Sequence, residues 1–318
     1  MRFPLRLVGV ALCAATALVG IPSAAAASDR HQDRHPGGHI LFSSDTADGI
    51  ELFTLRPDGT HLRQLTHVDG YDVVHPDWSA DGRSIVFQLD SPTEALLGTI
   101  RADGTGFRVL PITAPFVGQP GFAPDSQRVV FERYDGVAVA AIYMANLDGR
   151  DQRQLSYPPA GYGDTEPNVS PDGRTLSLIR LGPAPTDAAL VTIDLATGRE
   201  KQLTPYDADV AIKTGWSPNS RRIVYTRDAF TAKPGVSPNI WTTGRNGHAK
   251  HAVTHFRGGD VKAIAGSYSP DGRWIVFRRE DPSGAGLWII RPNGRQAKLI
   301  FTDPDVIPRY IDWGPRRH

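Results

Sequence analysis

A few polar side chains in this sequence are of types that suit acid–base or ligand-binding chemistry. The segment YDVVHPD (71–77) offers Asp72 and His75, and YGDTEPN (162–168) offers Glu166. A histidine beside carboxylates can transfer protons near neutral pH or bind a metal ion. No second histidine stands in register with His75 in the repeats described next, so we assign no metal ligand. We assign no catalytic residue, because a catalytic acid or base must lie within hydrogen-bond reach of the substrate and a sequence does not show that distance.

These side chains precede a phrase that recurs along the chain. PDWSADGRSIVFQL begins at Pro76, and related phrases begin at Pro120, Pro167, Thr214 and Gly266. Aligned on one aromatic or apolar residue, the phrase has a mean period of (313 − 78)/5, about 47 residues. The aligned residues are Trp78, Phe122, Val169, Trp216, Tyr268 and finally Trp313.

Each repeat has the pattern of four short strands. Runs such as SIVFQL and RVVFER are rich in β-branched and aromatic residues, which suit a pleated and half-buried surface. Asp-Gly and related pairs separate these runs and favour tight turns. No 12-residue stretch with helical periodicity interrupts the series. Four strands in about 47 residues predict one blade of a β-propeller.

The ends of the chain complete the count of blades. Five repeats are complete, whereas HILFSS (39–44) and the segments after it lack a first strand. RYIDWGP (309–315) supplies such a strand and should pair with the N-terminal three, because closure removes exposed sheet edges. The sequence therefore predicts an all-β, six-bladed β-propeller over 38–315, with four antiparallel strands per blade.

The repeat W-S-P-D-G-x-x-I-x-F, followed by L-W-x-x-x-x-D-G and Q-L-T, resembles the TolB-type (WD40-like) propeller repeat. The resemblance covers nearly the whole mature chain and implies the fold, whereas one fold serves many functions. TolB-type proteins carry an N-terminal α/β domain, which we expect to be absent here because only about ten residues separate the expected cleavage site from the first strand. Related repeats occur in prolyl oligopeptidases, but the sequence has no G-x-S-x-G or H-E-x-x-H motif.

By analogy with other propellers, the segments that lead into the innermost strands should line one mouth of the central channel. The predicted ligand-binding residues at this mouth are Asp72, His75, Gln119, Glu166, Lys213, Lys262 and Arg309. A mouth with charges of both signs suits a polar ligand, such as a peptide or a sugar. The open alternative is that these charges pair with one another and with water around an empty channel.

The first residues of the chain are typical of a signal peptide. Arg2 and Arg6 precede an apolar run, and Ala25-Ala26-Ala27 gives a small-residue cleavage site. We therefore expect a signal peptide at 1–27 and a flexible linker at 28–37, and a secreted or extracytoplasmic protein of the cell envelope. After cleavage no membrane span is expected, and Cys13, the only cysteine, is removed with the signal.

Charge and composition narrow the choice of partner. The formal net charge of +1 becomes −1 when Arg2 and Arg6 are removed with the signal peptide. A chain with this charge lacks the excess of basic residues that binding to nucleic acid requires. We expect no cofactor and a monomer. The loop RDAFTAKPGVSPN (227–239), with Phe230, is the longest insertion within the repeats and is either a docking element or a tolerated surface insertion.

These observations favour a non-enzymatic scaffold that holds a protein or peptide segment, or alternatively a glycan, at the channel mouth. The alternative is a propeller enzyme acting on extracellular carbohydrate, with His75 as base and Lys213 or Arg309 as anion clamp. The sequence leaves open the partner's identity, any catalysis, a metal in the channel and the oligomeric state.

Overall fold

The computed structural model describes residues 37–136, 139–230 and 234–315. They form six four-stranded antiparallel sheets, which are the blades of a propeller, and the predicted fold is confirmed. The expected signal peptide at 1–27 and all but the last residue of the expected linker lie outside the described residues. Within the described ranges, no helix is long and apolar enough to cross a membrane.

The strands follow one another in chain order from the innermost to the outermost position of each blade. Blade 1 holds β1 (His39–Thr46), β2 (Gly49–Leu55) and β3 (Arg63–Gln64). Blade 2 holds β4 (Asp72–Trp78), β5 (Ser84–Asp90), β6 (Ala95–Arg101) and β7 (Arg108–Val109). Blade 3 holds β8 (Phe116–Phe122), β9 (Arg128–Tyr134), β10 (Ala141–Asn146) and β11 (Arg153–Gln154). Blade 4 holds β12 (Gly163–Val169), β13 (Thr175–Leu181), β14 (Ala188–Asp194) and β15 (Glu200–Gln202).

The remaining two blades are built in the same way. A single 3-10 turn, Tyr206–Ala208, precedes blade 5. Blade 5 holds β16 (Ala211–Trp216), β17 (Arg222–Arg227), β18 (Asn239–Gly244) and β19 (His251–Ala252). Blade 6 holds β20 (Lys262–Tyr268), β21 (Ile275–Asp281), β22 (Gly284–Ile290) and β23 (Lys298–Thr302). The last strand, β24 (Arg309–Gly314), returns to blade 1.

Strand β24 closes the ring, as the sequence predicts. It pairs antiparallel with β1, with Ile40 opposite Trp313 and Leu41 opposite Asp312. The C-terminal strand thus becomes the innermost strand of the blade that begins at the N-terminus.

The core consists of six apolar clusters, each shared by two neighbouring blades. Strand β5 shows how alternation divides its side chains between two of them. Ile85 and Phe87 face blade 1, whereas Val86 faces blade 3. Each central strand is therefore apolar on both faces, and each blade is stabilised by its neighbours.

The Ser-x-Asp-Gly turns have a structural role, as the sequence indicates. The Ser79 hydroxyl donates to Asp81 Oδ1 at 2.7 Å, and Arg83 N donates to the same oxygen at 3.0 Å. Ser84 N in turn donates to Ser79 Oγ at 2.9 Å. Gly82 takes a φ of 69°, which suits a residue without a Cβ. The carboxylate is a turn former, as expected.

Glycines in the turns after the third strands allow the blades to approach one another closely. Gly59 has a φ of +85°, and a Cβ there would collide with the backbone carbonyl of Ile300 in blade 6. Gly198 occupies the corresponding turn of blade 4 with a φ of +71°, and a Cβ there would meet no atom within 4 Å. The two glycines share a left-handed backbone and differ in inter-blade contact.

This pair of glycines gives a matched test of blade packing. Gly198→Ala should cost about 1 kcal/mol, the penalty of a left-handed alanine. Gly59→Ala should cost about 2 kcal/mol more, because blades 1 and 6 must also move apart. Denaturant unfolding of both variants measures the difference, and equal losses would contradict the packing of this turn on blade 6.

Candidate functional site at the channel mouth

The innermost strands share an irregularity that places side chains in the channel. Each one shifts its register with the second strand a few residues before the aligned aromatic or apolar residue. Three positions before that residue stand His75, Gln119, Glu166, Lys213, Ala265 and Tyr310. Four of these six, all but Lys213 and Ala265, have a φ of 49° or 50°. A bulge with left-handed backbone changes the direction of the side chain.

Contacts between blades that are not neighbours locate these side chains in the channel. His75 Nδ1 in blade 2 lies 3.3 Å from Glu166 Oε1 in blade 4. The His75 ring also packs on Tyr310 of blade 1, with 3.9 Å between ring centroids. Because blade 3 lies between blades 2 and 4, the first contact crosses the channel.

Lys213 spans the channel at a second level. Its ammonium group comes from blade 5 and donates to Pro76 O of blade 2, the opposite blade, at 2.5 Å. Its Nζ lies 3.2 Å from Asp77 Oδ1 of blade 2 and 3.9 Å from Asp312 Oδ1 of blade 1. One lysine therefore bridges three blades.

Burial and the neighbouring charges shift the pKa of the Lys213 ammonium group in opposite directions. Burial alone lowers the pKa of Lys213, but the charges of Asp312 and Asp77 outweigh it and the net direction is upward. Burial raises the pKa of Asp77 to about 7, with Asp312 adding to the rise and Lys213 opposing it. Lys213 therefore stays charged at neutral pH, whereas Asp77 is poised to take up a proton.

The two aspartates also join neighbouring blades. Asp77 Oδ2 accepts from Phe122 N at 2.8 Å, and Asp312 Oδ2 accepts from Trp78 N at 3.0 Å. Ser267 Oγ makes the equivalent link to Trp313 N at 2.7 Å. In three of the six blades the residue just before the aligned position thus accepts a hydrogen bond from the next blade, and Asp77 and Asp312 are held in the channel by these bonds.

A second set of links begins on the second strands. Gln88 Oε1 accepts from Gln119 N at 2.9 Å, and Gln119 Oε1 accepts from Glu166 N at 2.9 Å. Thr165 Oγ1 makes hydrogen bonds with Gln119 Oε1 and, at 2.5 Å, with Glu132 Oε2. This network connects blades 2, 3 and 4 directly beneath His75 and Glu166.

The hydroxyl of Thr165 lies between two acceptors, Gln119 Oε1 and Glu132 Oε2. Gln119 Oε1 also accepts the Glu166 N–H, which fixes the orientation of the amide. A hydrogen bond from Thr165 favours the ionised form of Glu132, whereas burial favours the neutral acid. Burial raises the pKa of Glu132 to about 7; Thr165 and His75 oppose the rise, and Glu166 and Asp164 add to it.

Three of the predicted mouth residues lie on the rim instead of in the channel. Asp72 is exposed, and its Oδ1 accepts from Ile50 N at 2.9 Å. Lys262 lies 3.4 Å from Glu280, and Arg309 lies 2.6 Å from Asp45, each within its own blade. The structure thus brings together His75, Gln119, Glu166 and Lys213, and keeps Asp72, Lys262 and Arg309 apart from them.

The channel is constricted where these side chains meet. The cavity lined by His75, Gln119, Glu166 and Lys213 has a volume of about 10 Å³, at the lower limit of the space that one water molecule needs. In the described parts of the chain, no three His, Cys, Asp or Glu side chains are placed to hold a metal ion.

Tyr310 and Glu132 were not identified from the sequence. Tyr310 could have been found from the repeat, because it stands three residues before Trp313 as His75 stands before Trp78. Glu132 lies on a second strand, and only its contact with the next blade reveals it.

The face around the mouth carries exposed apolar side chains. The connections between blades and the loops joining second to third strands lie on this face. The largest exposed apolar side chains on them are Tyr134, Tyr157, Leu181, Phe230 and Ile307. Tyr157 is 70% exposed and Phe230 61%. Phe230 N donates to Asp209 Oδ2 at 2.8 Å, whereas residues 231–233 of the inserted loop at 227–239 lie outside the described residues.

The raised pKa of Glu132 gives a pH-dependent prediction. Its pKa is about 7 in the folded chain against an ordinary 4.5, so the folded state binds more protons between these values and its stability falls as pH rises through them. Glu132→Gln, which keeps a neutral donor, should therefore reduce this loss by about 2 kcal/mol. The pKa of Asp77 is also raised to about 7, so the free energy of unfolding of the Gln variant should still fall with rising pH, but less steeply.

Unfolding by denaturant at pH 5 and pH 8 measures this effect. Glu132→Leu serves as the comparison, because it removes the acid together with its hydrogen bond and should lose stability at both pH values. A Gln variant with the wild-type pH dependence would show that Glu132 is ionised throughout.

Comparison with known proteins agrees with this architecture. No family model matches the chain. The Tol-Pal system protein TolB of Anaeromyxobacter dehalogenans (strain 2CP-1) is 27% identical over 175 residues, which are 53% of this chain and 37% of that protein. This chain therefore matches well under half the length of that relative.

Solved structures show the same fold at low sequence identity. TolB from Acinetobacter baumannii aligns with a TM-score of 0.69 and 16% identity, over 89% of this chain and 68% of that chain. An oligogalacturonate lyase in complex with manganese aligns with a TM-score of 0.54 and 16% identity, over 78% and 73% of the two chains. The resemblance inferred from the repeats is confirmed: the chain is a six-bladed β-propeller similar to the TolB proteins.

Proposed function

We propose that this chain is a secreted, non-enzymatic scaffold of the cell envelope that binds a protein or peptide segment on the mouth face of the propeller. The observation that carries the proposal is the constriction behind that face. A cavity of about 10 Å³ among His75, Gln119, Glu166 and Lys213 is far below the 300–1,000 Å³ of small-molecule pockets. A partner must therefore be recognised across the face.

The surface of the mouth face supports the same proposal. Tyr157 and Phe230 are large and well exposed, and aromatic side chains are enriched where protein interfaces concentrate their binding energy. The rim charges, including Arg309 with Asp45 and Lys262 with Glu280, form ion pairs. Such exposed pairs contribute more to specificity than to affinity.

The similarity to TolB adds support of a general kind. That relative is a protein of the Tol-Pal system, and the described residues of this chain form a propeller. The expected signal peptide supports an extracytoplasmic location.

A carbohydrate-active enzyme remains the second candidate. It would use His75 as base, yet His75 is held between Glu166 and Tyr310. The likeness to oligogalacturonate lyase concerns the fold alone.

Two matched double variants test the binding face. Tyr157→Ala with Phe230→Ala removes exposed aromatic side chains from the mouth face. Phe107→Ala with Val109→Ala removes side chains that are each 45% exposed at the outer edge of blade 2. Partners cross-linked in the native envelope and identified by mass spectrometry would be titrated against each purified protein. The mouth variant should bind at least about tenfold more weakly, because anchor side chains contribute 2 kcal/mol or more.

The outer-edge variant should bind like wild type, and thermal melting should show both variants folded. Loss of binding in the outer-edge variant alone would overturn the proposed face. Polysaccharide turnover by the purified protein that disappears in His75→Ala would instead establish the enzymatic alternative.

A further inference from the structure

The opposite end of the channel opens into a funnel. It lies where the six innermost strands end in the Ser-x-Asp-Gly turns, and its volume is about 310 Å³. This volume is at the lower end of the range for small-molecule pockets. Aromatic side chains from five blades and prolines from five blades form its wall. The aromatic members are Trp78, Phe122, Trp216, Tyr268 and Trp313.

The floor of this funnel carries negative charge. Asp77 and Asp312 line it with side chains that are 15% and 11% exposed. Lys213 is the cation between them, so the three groups together have a formal charge of −1 when Asp77, whose pKa is raised to about 7, is ionised. Lys213 Nζ is 3.2 Å from Asp77 but 3.9 Å from Asp312. Asp312 Oδ1 is therefore the less compensated of the two carboxylate oxygens.

We propose that the funnel is a second binding site, for a protonated primary amine on an alkyl stem, such as a lysine side chain or a free alkylamine. The ammonium group would approach Asp312 Oδ1 at the floor, and the stem would lie against the apolar wall. The Asp312 carboxylate at the floor disfavours an anion, because like charges repel.

The donor set favours an organic cation over a metal ion. Calcium takes six to eight oxygen ligands, usually with several carboxylates, and the funnel floor offers two. In the described ranges no three acidic or histidine side chains converge on one point. An apolar stem also gains from the wall, which a bare ion does not. This site lies at the other end of the channel from the mouth and does not rest on the proposed function.

Calorimetric titration of wild-type protein in phosphate buffer provides the test. n-Butylammonium and n-butanol have nearly the same shape and differ in charge. The ammonium should bind at least tenfold more tightly, and the fluorescence of the tryptophans in the wall should report the same event. A capped peptide with one lysine, compared with its norleucine counterpart, distinguishes a side-chain ligand from a free amine. Equal binding of n-butylammonium and n-butanol, or no binding of either, would overturn the proposal.

An isosteric variant locates the site. Asp312→Asn keeps an oxygen that can accept from Trp78 N and removes the charge, so amine binding should fall at least tenfold. Asp271→Asn alters a turn aspartate that does not line the funnel and should bind like wild type. Amine binding that survives Asp312→Asn would overturn the proposal, as would calcium binding that displaces the amine.

Discussion

The structure depends on the pairing of β24 with β1. This contact closes the ring and brings Ile311 and Trp313 into the cluster between blades 6 and 1. Without it, two blades would lose their shared apolar surface and β1 would have an unpaired edge. The same strand delivers Asp312, which links to blade 2 through Trp78 N and faces Lys213 in the channel. The pairing of β24 with β1 therefore both closes the ring of blades and places Asp312 beside Lys213 in the channel.

Within each innermost strand, neighbouring positions serve different purposes. The aligned aromatic or apolar residue packs between blades, and in three blades the residue before it, Asp77, Ser267 or Asp312, accepts a hydrogen bond from the next blade. The residue three places earlier enters the channel through a bulge. The aligned position keeps an apolar or aromatic residue in all six blades, because each of these side chains packs in a cluster between two blades. The bulge position varies from His75 to Lys213 and Ala265 because it faces only the channel.

The sequence was enough to predict the fold because its signals are local. Asp-Gly turns, β-branched runs and a period of about 47 residues each specify the same blade. The predicted channel residues were placed less well. Asp72 and Lys262 stand six residues before their aligned positions, and Arg309 stands four before Trp313. Asp72, Lys262 and Arg309 are the first residues of their strands and lie at the rim, whereas the bulge brings the third position before the aligned residue into the channel. Glu132 depends on Thr165 of the next blade, a contact that no local pattern encodes.

Circular permutation tests the closure most directly. Moving residues 304–315 in front of residue 37 makes β24 and β1 consecutive strands, joined by Pro315, Gly37 and Gly38. Because Gly314 already lies opposite His39, a short turn can connect them, and every blade becomes continuous. The permuted chain should unfold cooperatively with a free energy of unfolding within about 1 kcal/mol of the chain in its natural order, since no native contact is lost. A permuted chain that does not fold would contradict the pairing of β24 with β1.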